Sequence, residues 1–170
     1  MTQRQGRAGA WIRKLAAGLI ALAVLPLLLV IIVVALPFLL TGQLLDRHRR
    51  GRLRRQFHAR WGAAGKRGVL VYSNSPHWQR YIEGEWLPQL EPHVVVLNWS
   101  ERRQWPILHP LEGEIVRRYL GDREFNPAAV IFPAEGEPRV MRFWQPFRDL
   151  RHGEDAALRR AESELFALLR

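Results

Sequence analysis

From Leu15 to Leu45 no position carries a charge, and within that run Leu19–Leu36 places Leu, Ile or Val at 14 of 18 positions. The run shows neither the 3.6-residue period of a surface helix nor the alternation of a half-buried strand. It is apolar on every side, which a lipid environment demands. At about −0.3 to −0.6 kcal/mol per Leu, Ile or Val, the run favours bilayer insertion by roughly 6 kcal/mol. Its length suits one helix across a hydrocarbon core of about 30 Å. The pattern predicts a transmembrane helix over 15–41, kinked at Pro26, with Pro37 near the far interface and 1–14 as a short basic tail. A cleaved signal has a shorter apolar segment and a small-residue cleavage site. Here LLDRHRRGRLRR (Leu44–Arg55) follows instead, as in a stop-transfer flank.

The pattern then changes. Leu53, Phe57 and Trp61 recur every four residues, so they share one helical face, and arginines fill the other sides. Residues 42–67 read as a basic amphipathic juxtamembrane helix that sets Arg47, Arg49, Arg50, Arg52, Arg54 and Arg55 on anionic headgroups. A solvated charged linker fits the same pattern. GAAGKRG (Gly62–Gly68) reads as a flexible hinge. It is not a phosphate loop, because two residues rather than four separate its glycines and Arg67 follows the lysine.

From Gly68 onward, apolar runs and helical periods alternate. Val69–Ser73 is a predicted strand. Ser75 is a suitable N-cap, with Pro76 at the first helical position. The helix that follows sets Trp78, Tyr81, Ile82, Trp86 and Leu90 along one stripe, and Pro88 ends or kinks it. His93–Trp99 is apolar on both faces, as a buried strand should be. After a loop holding Trp105 and Pro106, Leu111–Leu120 predicts a short helix stopped by Gly121. Ala128–Phe132 predicts a third strand, and PAEGEP (Pro133–Pro138) a turn. Arg139–Trp144 alternates and suits a half-exposed fourth strand. The last helix spans about Glu154 to Leu169. The order β-α-β-α-β-β-α predicts an α/β domain over 68–170, with a parallel right-handed first unit and a closing antiparallel hairpin.

Charge divides along the same boundary. Residues 1–67 hold 13 Lys/Arg against one acid, Asp46, whereas 68–170 hold 13 Arg against 15 acids. The net +10 of the chain therefore belongs to its N-terminal part. A nucleic-acid-binding domain carries its basic face on the folded body, so no nucleic-acid partner is expected. Seven arginines follow the apolar run and four basic residues precede it. That balance favours a cytoplasmic C-terminal domain on a single-pass membrane protein, although the shorter tail also resists translocation. No cysteine is present, which excludes disulfides, thiolate metal sites and thiol catalysis.

In element order and size, and with Pro127 standing in FNPAAVIF just before the third strand, residues 68–170 resemble a thioredoxin-like domain. The resemblance implies a cis bond at Asn126–Pro127. It also implies a functional end where the first strand meets the following helix, with Asn74, Trp78, Tyr81, Asn126 and Pro127 as candidate binding residues. The family's C-x-x-C is missing: its cysteines would fall near Trp78 and Tyr81. Redox chemistry of that kind needs a thiolate, so the resemblance implies a redox-inactive member.

Other chemistry at VLVYSNSPHW (Val69–Trp78) rests on Ser73, Ser75 and His77. A Ser–His pair supports nucleophilic catalysis when a carboxylate orients the imidazole, and Glu83 and Glu85 are near in sequence. The structural alternative has Ser75 capping the helix and His77 decorating its first turn. Glu112 and Glu114 read as a solvated helix start. Trp99, Trp105, Trp144 and Phe147 read as one aromatic cluster. Asn98-Trp99-Ser100 fits a glycosylation triplet but ends a buried strand. The six histidines show no metal-ligand spacing, and no metal or cofactor is expected. The expected function is a membrane-anchored binding or assembly module with an unidentified protein partner. The competing reading is a small membrane-associated α/β enzyme using the Ser73–His77 turn on a phosphorylated or sugar substrate.

Overall fold

The computed structural model describes residues 31, 33, 34, 42, 44–121 and 126–169. The chain divides into two compact units, Met1–His48 and Arg49–Arg170. Most of the predicted membrane helix lies outside the described residues. Those described within it, Ile31, Val33 and Val34, are helical and exposed. No helix among the described residues is long and apolar enough to cross a membrane.

The second unit is a mixed α/β fold around a four-stranded sheet in the order β2-β1-β3-β4. Its elements are α1 (helical over 49–61), β1 (Gly68–Tyr72), α2, β2 (Val94–Asn98), a 3₁₀ stretch (Trp99–Gln104), α3 (Trp105–Leu108), α4 (Pro110–Leu120), β3 (Ala128–Ile131), β4 (Arg139–Arg142), α5 (Trp144–Arg151) and α6 (Ala156–Leu169). Helix α2 joins an α turn at Gln79–Tyr81, a π turn at Ile82–Trp86 and a final turn at Leu87–Leu90. The Leu87 N–H reaches back to the Ile82 carbonyl. Pro88, which lacks an N–H, sits just after that wide turn.

Strand β1 runs parallel to β2, with Leu70 beside Val96, and antiparallel to β3, with Leu70 beside Ala129. Strand β3 is antiparallel to β4. All five residues of β1 are buried, because helices cover both sheet faces and successive side chains point to opposite ones. On one face Val69, Val71, Val95, Leu97, Ala128 and Val130 meet apolar residues of α1, α3 and α4. On the other, Leu70, Tyr72, Val94, Ala129, Ile131 and Met141 meet those of α2, α5 and α6.

Several expectations change. The compact unit begins at Arg49, not Gly68. The stripe Leu53, Phe57 and Trp61 packs on the sheet, with Leu53 and Phe57 buried. Spacing alone shows that a stripe is apolar, not whether lipid or protein covers it. Arg54 accordingly turns to the domain and donates to the carbonyls of Gly136 (2.9 Å) and Pro133 (3.1 Å). The expected hinge is pinned. The Lys66 ammonium donates to the carbonyls of Glu91 and Val94. The Arg67 N–H donates to His93 O, and Arg67 O accepts from Phe132 N–H. Gly68 is required by packing, since a Cβ there would stand 2.6 Å from the Val130 carbonyl oxygen.

The alternating stretch Arg139–Trp144 stops at Arg142, and α5 begins at Trp144. Phe143 and Phe147 are both buried, one helical turn apart. The expected aromatic cluster is split by the sheet: Trp99 and Trp105 stack edge-on at 5.4 Å on the first face, while Phe147 packs in the second. Glu112 is fully buried. Its Oε1 accepts from the Trp61 indole N–H, with the Arg60 guanidinium 3.8 Å away. Glu112 Oε2 has no hydrogen-bond partner among the described residues.

Candidate functional site

The junction after β1 is built from local hydrogen bonds. Ser75 O accepts from the N–H of Gln79 (2.9 Å) and Trp78 (3.3 Å), and Ser75 Oγ accepts from His77 N–H at 3.4 Å. Ser75 thus closes a turn over 75–78 and is not the helix N-cap expected from the sequence: the helix starts at Gln79, its N-cap is Trp78, and no side chain caps it. A polar mesh then ties the ends of the two parallel strands together. Asn98 Nδ2 donates to Asn74 Oδ1 (2.6 Å), Ser100 N–H donates to Asn98 Oδ1 (2.9 Å), and Asn74 N–H donates to Ser100 Oγ (3.1 Å). The Asn98 amide is thereby engaged inside the fold.

His77 is exposed, and its Nε2 lies 3.5 Å from Arg151 NH1. A guanidinium has no acceptor and cannot orient an imidazole as a triad carboxylate does. The nearby Glu83 is occupied elsewhere, accepting from Tyr72 OH (3.1 Å) and Gln79 Nε2 (3.0 Å). The expected base His77 and the nearby Glu83 thus meet partners other than each other.

The binding candidates are differently placed. The pairing of Val71 with Ala128 sets Asn126 and Pro127 at the same end of the sheet as the junction. The bond between them is cis, and both are buried. Trp78 is half-buried with its ring 6.3 Å from that of Phe147. Trp78 Nε1 and Asn126 Oδ1 are buried without partners among the described residues. Tyr81 OH donates to Glu162 Oε1 (2.6 Å), which also accepts from Trp86 Nε1 (2.8 Å). Burial, reinforced by that carboxylate, pushes the Tyr81 phenol up to about 12. Burial and the Glu83 bond do the same for Tyr72, also to about 12.

A concavity lies on the opposite face of the sheet. A cavity of about 400 Å³ is walled by Trp99, Trp105, Pro106 and α4, with Arg102 and Arg117 at its sides. Arg102 stacks over the Trp99 ring at 5.1 Å. Gly113 makes room for the wall, since a Cβ there would come within 3.3 Å of Trp105 Cβ. Two further hollows continue past Glu114 to Arg52, Arg60 and Arg49 of α1. Periodicity did not single out this face, because its arginines come from three separated segments. The one local signal is ERRQWPIL (Glu101–Leu108), where two arginines run directly into an apolar turn.

No protein-family model, curated protein or solved structure matches the chain.

Proposed function

We propose that the protein is a binding or assembly module, built on a redox-inactive thioredoxin-like domain and held at a membrane by the uncharged segment 15–41, with the domain on the cytoplasmic side. The observation that carries the binding role is the pair of unpartnered buried polar atoms at the junction end of the sheet, Trp78 Nε1 and Asn126 Oδ1. One is a donor and the other an acceptor, each costly to leave unmade. A bound segment whose backbone reached this end of the sheet would supply both complements. The sheet order and the strand directions support the fold resemblance. The lack of cysteine supports a role other than thiol exchange.

The test is a replacement series in cells that depend on the protein. Ser73→Ala, Ser75→Ala and His77→Ala should keep function in step with their thermal stability, whereas Trp78→Phe should lose function while melting normally. Loss of function through His77→Ala in a normally melting protein would establish the enzyme reading instead. For the anchor, alkaline carbonate should leave the full chain in the membrane pellet. Protease added to spheroplasts should spare the domain, and its digestion behind a sealed membrane would reverse the orientation.

A further inference from the structure

We infer that the face formed by α3, α4 and the start of the compact unit is a docking surface for an anionic lipid bilayer. The proposal rests on the membrane-anchored reading only in needing a bilayer nearby. Three observations converge on it. First, Ile107 and Leu108 stand 83% and 56% exposed on the four-residue helix α3, the two large apolar side chains that water reaches most among the described residues of the compact unit. Second, Trp105 and Pro106 of the same short helix wall a hollow rimmed by Arg102 and Arg117, and further hollows are lined by Arg52 and Arg49, with Glu114 the acid shared among them. Third, the apolar stripe of α1 is unavailable to lipid, because Leu53 and Phe57 are spent on the core.

Adjacent apolar side chains beside a basic rim match the two layers of an anionic membrane surface. Acyl chains receive Ile107 and Leu108, and phosphates meet the guanidiniums. A nucleic-acid backbone offers the phosphates but nothing for the apolar pair. An acidic protein is the competing occupant.

The chain has no cysteine, so Ile107→Cys takes a single environment-sensitive fluorophore. The labelled full chain is reconstituted into vesicles of phosphatidylcholine alone or of phosphatidylcholine with phosphatidylglycerol. The label should shift to the blue and be quenched by brominated acyl chains only where phosphatidylglycerol is present. Adding Arg102→Glu and Arg117→Glu should weaken that docking by about tenfold or more. Arg102 and Arg117 are exposed, and an unchanged melting temperature would show that the fold survives. Ile107→Asp gives a second variant that keeps every arginine; with the fluorophore moved to Leu108→Cys, the reconstituted full chain should lose the phosphatidylglycerol-dependent blue shift.

An emission independent of lipid charge would overturn the inference. So would a shift that tracks protein density, which marks a second copy as the occupant. A label that responds only to added soluble protein marks an acidic partner and overturns it equally. Alkaline washing of the same vesicles reads the anchor separately. A retained chain with an aqueous label keeps the anchor and sinks the docking face. A released chain with a phosphatidylglycerol-dependent shift does the reverse.

Discussion

The indole N–H of Trp61 donates to the carboxylate of Glu112 across 51 positions of sequence, joining the end of α1 to the first turn of α4. This contact makes α1 part of the domain at its polar end, as Leu53 and Phe57 do at its apolar centre. A buried carboxylate needs such a donor. Replacing Trp61 by Phe keeps the ring but leaves Glu112 Oε1 with only the more distant Arg60. The expected loss is about 1–3 kcal/mol in denaturant unfolding. An unchanged midpoint would mean that water reaches Glu112.

Phe57→Ala should cost about 3–5 kcal/mol, the range for a buried aromatic side chain, because its ring packs 5.0 Å from Phe132 in the core. A chain beginning at Gly68 should lose cooperative melting, whereas one beginning at Arg49 should keep it. A cooperative transition in the shorter chain would restore the boundary expected from the sequence.

Tyr81 and Tyr72 should make stability fall at alkaline pH. Both phenols ionise near 12 when folded, against an ordinary value of 10.0. Below 10 both states hold the proton and the contribution is complete. Between about 10 and 12 the unfolded chain releases it first, so stability drops as pH rises. Absorbance titration of the folded protein should show Tyr72 and Tyr81 ionising late. Tyr81→Phe should shrink the alkaline loss, and a single ordinary titration for all three would refute both assignments.

Ser75→Ala should cost at most about 1 kcal/mol, because its side-chain bond to His77 N–H in the turn before the helix is long at 3.4 Å. His77→Ala should leave the melting temperature within a degree or so, as expected for an exposed surface position. A large drop for His77→Ala would give the Arg151 contact a structural role it does not have on geometry alone.

The elements whose pattern is set by their own residues were legible. The apolar runs at Val69, Val94 and Ala128 became strands, and Leu111–Leu120 and the C-terminal stretch became helices within one or two residues. Helix α5 was not legible, because alternation through Met141 and Phe143 masks the step from period two to the Phe143–Phe147 turn. Glu112 read as solvated because acids suit a helix start, and its burial depends on a tryptophan far away in sequence. The one available clue was Trp61 itself: a large ring ending an apolar stripe carries an N–H that needs an acceptor. At the junction the residues were found but not their partners, since Arg151 and Ser100 arrive from other elements.

The pinning of Gly62–Gly68 determines how the domain meets a partner. Seven residues of free coil would let it wander by roughly 15 Å about its attachment, sampling a volume and raising the local concentration of whatever it sought. With Lys66 and Arg67 clamped to β2 and β3, that segment contributes no such wandering. On the binding role proposed above, capture would be a matter of aim: α1 held in a fixed place on the sheet would select which neighbours reach the junction end, and lengthening the segment would trade that selectivity for range.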